Sequence, residues 1–334
     1  MNQLERFLAV VHGEKPDYYP IFGFNEAPGV SSGCMRTTYD QLLKTGMPDV
    51  GGVWELDGQP YNLEGWRKYW GVCSSLDVAE FPGEPGGGFS YNKTVKDGFE
   101  YIECETGALT RQIINNDISY SMPEYIRFHV RDRESWEFYK KRRTPGKPYD
   151  DAQLEELCKK YRGADKPVRL SVNSTFGTLR DIVGPELACT IFYDDEDLAR
   201  EILGWLREEN QKYYIPLMEK LKPNIVLMSE DICYNHGMFI SPAMFREYMM
   251  PSYVDICEAA KRSGVDVVAV DTDGFAEPLL PLMQECGVNA MFPWEVKSNN
   301  DLARVRKNYP EMILLGGLEK EVINRGNEAL IYDE

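Results

Sequence analysis

The chain has 334 residues, enough for one large α/β barrel or for two ordinary domains. Its 37 Lys and Arg stand against 54 Asp and Glu, a formal charge of −17 that argues against nucleic-acid binding and against docking on anionic membranes. An apolar share of 43% supports a sizeable core, and no run of about 18 apolar residues predicts a transmembrane helix.

Leu4, Phe7, Leu8 and Val11 fall at helical spacing, and this segment lacks the layout of a signal peptide. Tyr18–Phe24 reads as a first strand, followed at its carboxyl end by Asn25 and Glu26. Residues 38–46 read as a short helix and Val50–Leu56 as a second strand. The stretch from about 58 to 135 differs in texture. It is rich in Gly, Tyr and β-branched residues, and Phe89–Arg111 alternates around Asp97-Gly98 as an antiparallel hairpin. We read it as a β-rich insertion on one domain spanning 1–334. Residues 132–162 are mostly helical and charged, with Lys140–Arg143 on a solvated face.

Regular βα order then resumes. Val168–Val172 reads as a strand ending at Asn173, and a long helix opens at Asp194-Asp195-Glu196, where acids suit the positive end of the helix dipole. Four apolar strands follow, near 225, 267, 289 and 313, each running into polar residues: Glu230-Asp231, Asp271-Thr272-Asp273, Trp294-Glu295 and Gly316-Gly317. In a parallel α/β barrel these carboxyl ends share one face, where active sites are built. About seven strands can be counted. The expected architecture is a distorted (β/α)8 barrel that either lacks its last strand and helix or closes in an unusual way. An open edge would expose unpaired backbone groups and favour a homodimer.

The strand-end residues supply the candidate chemistry. Asp271 and Asp273 are two apart, so on an extended chain both face the same way. They either hold a hard cation or an amine, share a proton as paired acids, or cap the next helix. One of Glu230 and Asp231 points inward; crowded by Asp271, that carboxylate becomes a general acid or base. His236, in the loop after this strand, is either a proton shuttle, a metal ligand or a surface residue. Cys233 is the thiol nearest this face. Glu230, Asp271, Asp273, His236 and Cys233 are together the candidate metal ligands. Asn25, Glu26, Asn173, Trp294, Glu295, Gly316 and Gly317 are the candidate substrate contacts. Trp294 either stacks on a planar substrate or packs in the rim. The glycine pair either admits a ligand close to the backbone or makes a tight turn. Eight scattered cysteines without Cys-x-x-Cys suit reduced thiols in a cytoplasm.

Three blocks carry a resemblance over nearly the whole chain: Leu4-Glu-Arg-Phe-Leu-Ala-Val-Val-His-Gly-Glu-Lys-Pro-Asp17, Ile240-Ser-Pro-Ala-Met-Phe-Arg-Glu-Tyr-Met-Met-Pro251, and Val265–Gly274 followed by Leu314-Leu-Gly-Gly-Leu-Glu-Lys320. They resemble the uroporphyrinogen decarboxylase superfamily, which implies a single distorted TIM-type barrel. Its decarboxylases need no cofactor and carry a Met-Arg-Gln-Ala-Gly-Arg block whose arginines hold substrate carboxylates. The matching place here reads Gly23-Phe-Asn-Glu-Ala-Pro-Gly29, without arginine. The other branch passes methyl groups to or from a corrinoid carried by a partner protein. Where that branch methylates a thiol, it holds zinc by His-x-Cys and a late Cys. Those places read Asp271-Thr272-Asp273 and Gly316-Gly317-Leu-Glu319 here, with no cysteine. The resemblance therefore implies a corrinoid-protein-dependent methyltransferase acting on a small methylated or methoxylated compound, with zinc as its candidate metal. A decarboxylase of a tetrapyrrole or related carboxylate, and a ligand-binding barrel without catalysis, are the alternatives.

Overall fold

The computed structural model describes residues 1–24, 31–54, 61–78, 89–114, 123–143 and 147–334. They form two compact units. The first holds the described residues of 1–79, 85–144 and 161–169, the second those of 145–160 and 170–334.

In the first unit, a capping box starts the helix Gln3–Val11: the Asn2 side chain accepts from Glu5 N at 2.8 Å, and the Glu5 side chain accepts from Asn2 N at 2.9 Å. Short parallel pairs follow. β1 (Ile21–Gly23) is the core of the strand expected at 18–24. β2 (Cys34–Met35) pairs with β3 (Val53–Trp54), β1 pairs with β4 (Val72–Ser74), and β5 (Leu76–Asp77) pairs with Val168 and Arg169. Tyr39, Met47, Val53 and Trp66 make a local apolar core. The hairpin expected around Asp97-Gly98 is present, with both residues at positive φ as a tight two-residue turn requires. It belongs to an antiparallel sheet in the order β6 (Tyr91–Lys96), β7 (Phe99–Cys104), β8 (Leu109–Ile113), β9 (Glu124–Arg127).

The second unit is α/β. Its sheet includes the end of β10 (Val168–Ser171) from Leu170 onward and β11 (Ile225–Ser229). A small antiparallel hairpin of β12 (Cys233–Tyr234) and β13 (Gly237–Met238) follows β11. The sheet continues with β14 (Val267–Asp271), β15 (Ala290–Phe292) and β16 (Ile313–Leu314), in the order β16–β15–β14–β11–β10. The pairs β11·β14, β14·β15 and β15·β16 are parallel, and one line of register runs through Ser229, Asp271 and Phe292. Ile225, Val226, Leu227 and Met228 are all buried. That is the signature of a parallel strand covered on both faces, and it is why these segments read as continuous apolar runs.

Helices separate the strands as the sequence pattern predicts. The long one starts at Glu196, capped by the Asp195 side chain, and passes through a π turn at Asn210–Tyr214 before ending at Leu221. The helical stretch expected over 242–263 contains a second π turn, Phe245–Met249. Pro185–Asp194 forms a separate helix with Pro at its first position, a start signal the periodicity alone did not separate.

Candidate functional site

The site is built on the turn that follows β14. Thr272 is buried, and its hydroxyl accepts from Cys233 N at 3.0 Å and donates to Asp273 O at 3.2 Å. Thr272 N donates to Phe292 O, so the turn is tied to the neighbouring strand as well. Two further backbone donors leave the turn toward carboxylates: Asp273 N toward Asp231 Oδ1 at 3.5 Å, and Gly274 N to Glu295 Oε2 at 3.0 Å. Buried Asn300 braces the other side by donating to both Gly274 O and Glu295 O.

Three carboxylates thus gather at the carboxyl ends of β11, β14 and β15, and two are paired with cations. Asp231 meets Arg180 at 2.9 Å, and Glu295 meets Lys320 at 2.5 Å. Lys320 holds the Glu295 carboxyl below its usual range, helped by Gly274 N–H and Ser298. Asp273 stands between the two pairs. Among the described residues its carboxylate has no hydrogen-bond or salt-bridge partner. The surrounding protein, then the charges of Glu295 and Asp231, hold its carboxyl above the usual value, while Lys320 and Arg180 pull the other way. The arrangement is one solvent-accessible carboxyl, its pKa raised, between two neutralised ones, which suits proton exchange with a substrate atom.

A family model for uroporphyrinogen decarboxylase (URO-D) matches residues 124–334, more than half of the chain, including β11, β14 and β15. The chain belongs to the uroporphyrinogen decarboxylase family. No curated protein matches it. A solved chain, a methyltransferase from Methanosarcina mazei, is similar at 12% identity with a TM-score of 0.47, over 96% of this chain and 93% of that one. No helix among the described residues is long and apolar enough to cross a membrane.

Within this family member the structure separates residues that the sequence grouped. Glu230 is fully buried, and both carboxylate oxygens accept from the start of the helix Phe176–Val183: Oε1 from Thr175 N at 2.7 Å and Thr175 Oγ1 at 2.8 Å, Oε2 from Gly177 N at 2.8 Å. It is Asp231, turned outward by a φ of 44°, that joins the charged cluster. Asp271 ends β14 half-buried, and its carbonyl accepts from Glu230 N and Asp231 N. His236 is exposed on the β12–β13 turn, edge-on to the Tyr234 ring at 5.8 Å. Cys233 is buried, and burial pushes its thiol up to about 12.

Among the described residues no group of three or more His, Cys, Asp and Glu is placed to hold a metal ion. The set Glu230, Asp271, Asp273, His236 and Cys233 does not fit a zinc ion. Glu230 spends its oxygens on backbone donors and a hydroxyl, and His236 lies exposed on the β12–β13 turn.

Of the substrate contacts read from the sequence, Glu295 lies in the cluster. Asn173 is buried, with its side chain donating to Glu209 at 2.8 Å and its backbone N–H donating to Asn210. Trp294 is only 2% exposed, so it packs within the protein and offers no open stacking face. The space a side chain would need at Gly316 is taken by Pro293 O, and at Gly317 by Leu302. The glycine pair therefore makes a tight βα turn. Asn25 and Glu26 lie outside the described residues. Sequence reasoning missed Arg180, Lys320 and Asn300. Lys320 closes the resembling Leu314–Lys320 block and could have been found there. Arg180 lies 51 residues from Asp231, and no local pattern links them.

Proposed function

We propose that the chain is an enzyme that moves a methyl group from a small methylated or methoxylated compound to a corrinoid carried by a separate protein. Asp273 is its proton donor. On this reading the parallel strands belong to a (β/α)8 barrel, the antiparallel sheet is an insertion on it, and the carboxyl ends of the strands form its active face. The corrinoid, when docked, supplies the methyl acceptor. Asp273 delivers a proton to the leaving heteroatom as its bond to the methyl carbon breaks, so that a neutral alcohol, phenol or amine departs. The Arg180–Asp231 and Lys320–Glu295 pairs fix the turn and set the field in which Asp273 holds its proton.

The observation that carries this reading is the unpartnered Asp273 carboxyl between two ion pairs. Decarboxylation of a tetrapyrrole is the second reading, favoured by the family description. The local charge opposes it. Arg180 and Lys320 against Asp231, Asp273 and Glu295 give 2 − 3 = −1 when Asp273 is ionised, and the arginine block is absent. A substrate with many carboxylates needs a cationic pocket.

The test offers the purified chain reduced cobalamin with a panel of methoxylated aromatics and methylated amines, and follows cobalamin methylation by absorbance. In parallel, carbon dioxide release from uroporphyrinogen is measured. Methylation with at least one donor class is expected, with no carbon dioxide. Carbon dioxide release without methylation overturns the proposal in favour of the second reading.

A further inference from the structure

Glu230 is a fully buried carboxylate one residue away from the charged cluster, and the reaction as proposed does not use it. Its position explains more than its own satisfaction. Thr175 caps the helix Phe176–Val183 without a hydrogen bond from its own side chain to the helix backbone. The cap comes instead from Glu230, 55 residues on, which takes three donors from that helix start. Gly177 lets the contact close, because a Cβ there would sit 2.2 Å from Ser229 O. The same helix carries Arg180, and the residue after Glu230 is Asp231. The Glu230 and Asp231 N–H groups both donate to Asp271 O, which fixes this strand end to β14. The Arg180–Asp231 pair is therefore held between two elements whose separation Glu230 sets.

We infer that Glu230 is a positioning residue: its buried carboxylate clamps the helix bearing Arg180 to the strand end bearing Asp231, and so sets the charge environment of Asp273. The inference rests on the role proposed for Asp273. Five charges bear on the outcome. Glu295, Asp231, Lys320 and Arg180 act on Asp273, and Arg180 also faces Asp181 at 3.4 Å. Buried Tyr253 shares Glu230's surroundings, since its phenol is pushed well above the ordinary value by burial and then by the Glu230 charge.

The experiment follows the Asp273 carboxyl by NMR in protein carrying carbon-13 aspartate, assigned with D273N and read without substrate. E230Q removes the anion that accepts three donors and sets an NH2 group against one of them. Arg180 then moves away from Asp231 and Asp273, and the Asp273 midpoint rises, by about half a pH unit or more. Removing the Glu230 charge directly would lower that midpoint, so the sign separates a clamp from a field effect. R180Q raises the midpoint as well, and E230Q/R180Q raises it no further than R180Q alone. T175V keeps Glu230 and both backbone donors, and is expected to give a smaller rise in the same direction; it decides the matter if E230Q does not fold. An unchanged or lowered midpoint in E230Q, additive shifts in the double variant, or no shift in T175V when that variant has to decide, would overturn the inference. Because no turnover is read, these outcomes are separate from any failure of the methyl-transfer reading.

Discussion

Asp273 differs from its two acidic neighbours in what lies within reach of its oxygens. Asp231 and Glu295 each have a cation, whereas Asp273 has only their fields and the protein around it. The strand-end pattern made Asp273 visible in the sequence. Choosing between Glu230 and Asp231 was harder, because alternation along a strand says that one side chain points inward without saying whether inward means a mouth or a sealed interior. The positive φ of Asp231 ends the alternation there, and nothing in the neighbouring residues announces it. A second titratable residue has a structural part. His129 bonds Thr106 Oγ1 at 2.7 Å and stacks on Phe89, and burial, followed by Arg143 and Arg131, lowers its pKa. A depressed folded value means that the unfolded chain binds the proton more readily. The stability His129 contributes is thus present above about 6.5, its ordinary value, and is lost as pH falls through the folded one. Denaturant unfolding between pH 7 and 5 is expected to show a steeper loss for the native protein than for H129Q. Parallel slopes would remove this role.

At the scale of elements, order was more legible than ends. Apolar runs of four or five residues predicted β11 and β14 because both faces of those strands are covered, and Asp97-Gly98 predicted its hairpin because only such a pair accepts two positive φ values cheaply. The two π turns were not legible, since a one-residue insertion leaves helical periodicity almost intact over so short a span. Gly316 shows how an element junction constrains the site. It has a φ of 103°, and Gly317 N donates to Pro293 O, one residue before Trp294-Glu295. A Cβ at Gly316 would collide with Pro293 O. Gly316→Ala is expected to cost about 2 kcal/mol or more by denaturant unfolding. A variant as stable as the parent would show that this turn yields easily and that the glycine has another purpose.

For the molecule as a whole, a formal charge of −17 sets a field that repels polyanions at long range, and the charged cluster does not reverse it locally. Family membership rests on 124–334, and within that span the strand ends carry three carboxylates, two of them paired with Arg180 and Lys320. In the proposed reaction Asp273 gives up a proton as the methyl group leaves. The direct measurement is the single-turnover rate of methyl transfer to reduced cobalamin for D273N beside the parent chain, using the best donor from the panel. A fall of about 10²- to 10⁴-fold is expected, the usual contribution of a positioned general acid. A D273N rate within about threefold of the parent would contradict it, since so small a loss falls far below that contribution.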